Sequence, residues 1–169
     1  MRDLLNQIQS AVRGQAYYLA LYASLTIPDI CGAMESDDGQ AIPSRYKAWF
    51  NKYVAPKYLA CGQETITGEE CYFYRCAVLH QGSAQHPRLG FSRILFVEPG
   101  TSTNVFHNNV LDDALNIDVS IFCNDILAGA VAWLEATENT SNYQKNFPRF
   151  LQRYSTGLSP YIVGVPVIA

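Results

Sequence analysis

The chain has 169 residues, of which 49% are hydrophobic and 16% are charged, and its net charge is −3 at pH 7. This length is enough for a sizeable core, and the composition excludes a disordered chain. The small negative charge argues against a general affinity for nucleic acid over the whole surface. We therefore expect a single folded domain over residues 1–169.

The cysteines and the apolar runs indicate the compartment. The five Cys are an odd number without paired short spacing, and Arg2-Asp3 leads into an amphipathic pattern without an apolar leader. No apolar run approaches the roughly 20 residues needed to span a bilayer. We expect a reduced, cytoplasmic protein with no membrane partner.

Known metal and cofactor motifs are not apparent in the sequence. Neither His86 nor His107 has metal-ligand spacing to a second His or a Cys pair, so we expect no metal. A P-loop and a Rossmann fingerprint are also missing, and no cofactor is expected.

The first third of the chain predicts three helices. Apolar residues recur at helical spacing over residues 3–25, and Pro28 is expected to end or kink this helix and to begin a short one reaching Glu35. Ser44 is the expected cap of the next helix. Its apolar stripe consists of Tyr46, Trp49, Phe50 and Tyr53.

The helix expected after Thr67 carries the most unusual residue pattern. Thr67 and Glu70 have the capping-box spacing, and Gly82 suits a left-handed C-terminal cap. Arg75 falls inside the apolar stripe, where a guanidinium requires a counter-ion. The candidate partners are Asp29, Glu35 and Asp125.

The second half predicts a strand over 91–98, a turn at Pro99-Gly100 and a returning strand over 103–110. Residues 119–135 are apolar nearly all round, which is typical of the most buried helix of a domain. The expected fold class is mainly α: a single-domain helical bundle with an inserted β-hairpin at about residues 91–110.

Arg75 and His80, with four residues between them and a glycine soon after, resemble the Arg–His motif of the HEPN superfamily. The resemblance covers this stretch alone, and Cys76 stands where the family often has a polar residue. It implies an all-helical domain that cleaves RNA without a metal, at a composite site formed by two copies of the motif across a homodimer. It also admits an antitoxin or companion protein as a partner.

The resemblance assigns catalytic roles to Arg75 and His80. His80 would act as a general acid or base on a ribose 2′-hydroxyl, and Arg75 would stabilise the charged transition state. Their helical spacing of about 140° is too wide for both to hold one atom.

The charge distribution supplies candidate binding residues for RNA or a nucleotide. The segment from Arg45 to Arg93 contains seven basic and three acidic residues, which gives it a net charge of +4. Phosphate groups favour such a segment. The expected binding residues are Arg45, Lys47, Lys52 and Arg93.

Two other interpretations remain open from the residues alone. In one, the domain is a non-catalytic nucleotide-binding or protein-interaction module in which Arg75 forms a structural ion pair. In the other, Cys76 and His80 meet at i and i+4 on one helix face and perform thiol chemistry.

Overall fold

The computed structural model describes residues 1–60, 63–100 and 103–169. Within these residues the chain is mainly α, as predicted. Its α-helices are α1 (Arg2–Arg13), α2 (Tyr17–Glu35), α3 (Pro43–Tyr53), α4 (Gly68–Gln81), α5 (Val119–Thr137) and α6 (Ser141–Asn146). Short 3₁₀ helices cover Ala55–Lys57 and Phe147–Arg149.

The strands are short and form four small sheets in the described residues. In chain order they are β1 (Leu59–Ala60), β2 (Gln63–Glu64), β3 (Arg93–Val97), β4 (Asn109–Leu111), β5 (Ala114–Asp118), β6 (Arg153–Tyr154), β7 (Gly157–Leu158), β8 (Ile162–Val163) and β9 (Val167–Ile168).

The predicted helix over 3–25 is interrupted, and the prediction that the helix ends at Pro28 and a new one begins there is wrong. The chain turns at Gly14 and Gln15, where Gln15 has a φ of 58°, a left-handed conformation that ends α1. Helix α2 instead continues through Pro28, which is buried between Ile27 and Cys31. Packing on this buried face outweighs the cost of the missing backbone hydrogen bond.

Helix α5 is the most buried helix, as its composition predicts, and it packs against α1, α2 and α3. Its length and apolar composition alone would suit a membrane span, but half of the residues in that stretch are buried inside the protein. Its polar residues have partners: Asn124 accepts a hydrogen bond from Gln9, and Asp125 accepts from Lys57 and Tyr58.

The predicted hairpin between 91–98 and 103–110 does not form. Strand β3 lies within the first segment, but it pairs in parallel with β5, and β4 pairs antiparallel with the other edge of β5. Strand β5 is the central strand of this sheet, and all five of its residues are buried. The tight turn lies at Asp112 and Asp113, with φ values of 47° and 59°, as a two-residue hairpin requires.

Candidate functional site

Helix α4 positions the candidate site, and the predicted caps are confirmed at both ends. The Thr67 hydroxyl accepts from the Glu70 amide at 3.3 Å, and the Thr67 amide donates to Glu70 Oε2 at 2.8 Å. Gly82 closes the helix with a φ of 62°. These caps fix the length of α4 and hence where its side chains lie.

A close approach at Gly68 fixes α4 against α3. The Gly68 amide donates to Asn51 Oδ1 at 2.6 Å, and a Cβ on Gly68 would lie 2.8 Å from both Lys47 Cα and Asn51 Oδ1. A larger residue therefore does not fit without moving one helix.

Arg75 forms the predicted ion pair, and the partner is Asp29 of α2. The distance between Arg75 Nη2 and Asp29 Oδ2 is 2.6 Å, and the two side chains are only 20% and 15% exposed. The other candidates have different partners: Glu35 accepts from Trp133 Nε1 at 3.0 Å, and Asp125 is held by Lys57. The pair connects two helices that are distant in the chain.

The environment of the pair shifts both pKa values. Burial raises the pKa of Asp29 above its ordinary value, and the opposing charge of Arg75 offsets part of that effect. Burial acts to lower the pKa of Arg75, but the interactions with Asp29 and with Cys76 together outweigh it, so the pKa of Arg75 is raised. Arg75 is therefore a permanent cation at this position.

His80 lies in contact with Arg75 although their positions differ by about 140° around the helix. The distance between His80 Nε2 and Arg75 Nη1 is 3.1 Å. The long arginine side chain bridges the five-residue interval along the helix surface. Because a guanidinium only donates, Nε2 accepts, and the neutral imidazole carries its proton on Nδ1. His80 itself is exposed.

Cys76 does not pair with His80 as the thiol interpretation requires. Arg75 Nη1 donates to Cys76 Sγ at 3.9 Å, and in the described part of the chain no hydrogen bond joins Cys76 to His80. The imidazole that would act on the thiol is engaged by Arg75 instead. The geometry therefore gives thiol chemistry no support.

An aromatic and basic surface that the sequence analysis did not foresee lies beside α4. The rings of Phe73 and His86 stack, with centroids 4.8 Å apart and an interplanar angle of 6°. Arg88 and Lys47 lie over the Phe73 ring at 5.4 and 5.2 Å. We call this set the Phe73 surface; its residues are Lys47, Tyr72, Phe73, His86 and Arg88.

The Phe73 surface and His80 lie on the same side of α4, because residues seven apart differ by only about 20° around a helix. The only feature of the sequence that indicates this surface is the shared helix face of Phe73, Cys76 and His80. His86 lies outside the helices and strands, and its stacking depends on how the chain folds back after Gly82.

Of the predicted binding residues, Lys47 alone belongs to the Phe73 surface, where it also pairs with Glu69 at 2.7 Å. Arg45 is held by Asp38 at 2.8 Å and by the Gln40 carbonyl at 2.6 Å. Lys52 lies over its neighbour Tyr53, and Arg93 is exposed at the start of β3. Within the described residues no contact joins Arg45, Lys52 or Arg93 to Arg75 or His80.

The described residues contain no group of three or more His, Cys, Asp and Glu side chains arranged to hold a metal ion. Comparisons with protein-family models, with curated proteins and with solved structures find no match to this chain.

Proposed function

We propose that this chain is a HEPN-like helical domain that cleaves single-stranded RNA without a metal, with Arg75 and His80 as its reactive pair. The observation that carries the proposal is the 3.1 Å contact between an exposed imidazole and a guanidinium held by a mostly buried carboxylate. The pair combines an acid–base group with a fixed cation, the two functions that phosphodiester cleavage requires.

The proposed reaction uses both side chains in turn. When a phosphate binds, Arg75 Nη1 moves from His80 to a non-bridging oxygen, which frees Nε2 to take the proton of the 2′-hydroxyl. The 2′-oxygen attacks the phosphorus, and the bond to the 5′-oxygen breaks. His80 returns a proton to that oxygen, so the products are a 2′,3′-cyclic phosphate and a 5′-hydroxyl.

The Phe73 surface supplies the substrate contacts in this proposal. Bases of single-stranded RNA stack on exposed aromatic rings, and arginine or lysine beside the rings binds the backbone. Tyr72, Phe73 and His86 are half-buried, which leaves part of each ring open to a ligand. Arg88 and Lys47, which lie over the Phe73 ring, would bind the phosphates of the same strand.

The proposal includes a homodimer in which two α4 helices approach each other, as the resemblance implies. Tyr18, Leu19 and Tyr22 form an exposed apolar patch on α2, the helix that also carries Asp29. Burial of this patch between two copies would bring the Arg75 sites close together. A cytoplasmic location, the absence of a membrane partner and an antitoxin or companion protein belong to the same proposal.

A second candidate function is a non-catalytic nucleotide-binding or protein-interaction module. The ion pair between Asp29 and Arg75 favours it, because the guanidinium is mostly buried and already neutralised by a carboxylate. In that case the Phe73 surface binds a nucleotide or peptide, and His80 performs no chemistry.

The two candidates differ in what happens to RNA. The purified protein is incubated with a labelled single-stranded RNA in the presence of a chelator, beside the same sequence with 2′-deoxyribose throughout. The nuclease predicts cleavage of the RNA alone and products that end in a 2′,3′-cyclic phosphate. Intact RNA that still binds the protein would favour the second candidate.

A further inference from the structure

We propose a second ligand site, separate from Arg75 and His80, that binds a small amphiphilic anion. The site is a cleft of about 610 Å³ bounded by α1, α2 and the segment from residue 149 to residue 168. We call it the α1–α2 cleft. Its volume lies within the range of about 300–1,000 Å³ that is usual for pockets of small molecules.

The walls of the α1–α2 cleft are mainly apolar. Leu4 of α1 and Ile30 and Met34 of α2 form one side, and Phe150 and Ile168 lie on the other. Leu151 and Ile168 are each 65% exposed although both line the cleft. Covering such side chains is favourable by about 25 cal/mol per Å² of apolar area. The walls therefore suit an apolar body.

Two guanidinium groups give the cleft a cationic side. Arg149 and Arg153 both line it, and within the described residues neither has a hydrogen bond or an ion pair. The acidic lining residue Asp3 lies in the first turn of α1, where the positive end of the helix offsets its charge. The charge that remains available to a ligand is positive.

Asn146 adds an unpaired acceptor at the same end. Its side chain is 95% buried, since the residue is 5% exposed, and Nδ2 donates to the carbonyls of Met34 and Ser36 at 3.0 and 2.7 Å. These bonds fix the amide, so Oδ1 cannot exchange places with Nδ2. Oδ1 has no donor in the described structure.

The unpaired acceptor lies beside one of the unpaired guanidinium groups. A Cβ on Gly39 would meet Arg149 Nη1 at 2.9 Å and Asn146 Oδ1 at 3.0 Å, which places both atoms on one side of Gly39. One guanidinium and one unsatisfied acceptor thus lie beside the same glycine in the lining of a mainly apolar cleft. The two arginines match an anionic head, carboxylate or phosphate, and the apolar walls match its tail. Asn146 Oδ1 only accepts, so it matches an O–H or N–H donor on the same ligand.

Calorimetric titration with decanoate and decyl phosphate, each below its micelle concentration, tests the site. Decanol and decylammonium have the same tail without an anionic head. We expect one molecule of at least one anion per chain, bound at least tenfold more tightly than either control. The anion that binds more tightly identifies the head group.

Three variants locate the binding. Arg149→Gln combined with Arg153→Gln should weaken the preferred anion at least tenfold, and Ala33→Phe, which fills the cleft, should weaken it as well. Arg93→Gln removes an exposed guanidinium on β3 and should leave the affinity unchanged. Equal binding of decanol, no binding of either anion, or full affinity in the double variant would overturn the proposal.

Discussion

Asp29 of α2 and Arg75 of α4 form an ion pair with 2.6 Å between Oδ2 and Nη2, and the same guanidinium contacts His80 through Nη1. One mostly buried carboxylate therefore sets the position of the cation, and the cation sets the position of the exposed imidazole. The stability of the helix contact and the geometry of the reactive pair depend on the same side chain.

Replacement of Arg75 tests the energetic role of this pair. Arg75→Gln should destabilise the protein by roughly 2 kcal/mol, because Asp29 is left mostly buried without its counter-ion. The double variant Asp29→Asn with Arg75→Gln should recover part of that loss. Urea denaturation of wild type, Arg75→Gln, Asp29→Asn and the double variant gives the coupling energy.

The matched control for this cycle is Arg45→Gln, which removes the ion pair to Asp38, a carboxylate that is 56% exposed. An exposed pair contributes about 0–1 kcal/mol, so its loss should be small. Equal destabilisation by Arg75→Gln and Arg45→Gln would contradict the larger contribution assigned to the ion pair between Asp29 and Arg75.

Phe73 should determine the affinity for single-stranded RNA. Phe73→Leu removes the ring that stacks on His86, and loss of one stacked base costs about 1–3 kcal/mol, so affinity should fall roughly tenfold or more. Both proteins carry the additional substitution His80→Asn, which prevents cleavage. Their binding to a labelled oligonucleotide is measured by fluorescence anisotropy.

The control for RNA binding is Tyr161→Leu, since Tyr161 is an exposed aromatic residue between β7 and β8, outside the Phe73 surface. Its substitution should leave the affinity unchanged. If both variants bind equally well, the stacking contacts lie elsewhere.

Gly68 should tolerate no side chain. Gly68→Ala places a Cβ against Lys47 and Asn51 of α3, and overpacking of this kind costs about 1–3 kcal/mol. Gly82→Ala has open space around the new methyl group but a φ of 62°, so it should cost only about 1 kcal/mol. The two variants are compared by their thermal unfolding temperatures. A smaller decrease for Gly68→Ala than for Gly82→Ala would be inconsistent with the close packing of α4 against α3.

The carboxyl group of Asp38 should titrate at unusually low pH. The backbone N–H of Gln40, the Ser36 hydroxyl and Arg45 together lower the pKa of Asp38 to about 2. The folded pKa lies below the unfolded value, so Asp38 stabilises the fold above the unfolded pKa, and this contribution is lost as the pH falls towards 2.

Carbon-detected NMR titration reads the Asp38 midpoint directly. Ser36→Ala should raise it, because the variant removes the hydroxyl that donates to Asp38. A midpoint near the ordinary value of about 3.9 in the wild type would contradict the hydrogen-bond pattern.

The proposed homodimer should depend on the exposed patch of α2. Leu19→Glu places a charge in the patch and should shift the protein towards monomer in light-scattering measurements of molar mass. Val131→Glu adds the same charge at an exposed apolar position of α5 and should have no effect. A monomeric wild type would contradict the composite site.

Features set by neighbours in the chain were predictable from the sequence. The capping box at Thr67, the glycine cap at Gly82 and the burial of α5 depend on local spacing and on hydrophobic pattern. Asp29 is one of the three candidate partners that the sequence offers for Arg75, because a guanidinium inside an apolar stripe requires a counter-ion.

Features set by distant contacts were not predictable. The continuation of α2 through Pro28 depends on burial of that face, and the pairing of β3 with β5 needs a parallel connection that strand patterns cannot specify. The Phe73 surface and the α1–α2 cleft arise where separate segments meet. Neither Arg149 nor Arg153 has any local motif that indicates a cleft.

The rate of RNA cleavage by His80→Asn, compared with wild type and Cys76→Ser at equal concentration, tests the central proposal most directly. Loss of a general acid–base group should lower the rate by about 10²–10⁴-fold. His80 is exposed, so the variant should unfold at the same urea concentration as wild type. Cys76→Ser should retain nearly full activity. Cleavage by His80→Asn at the wild-type rate would show that His80 is not catalytic.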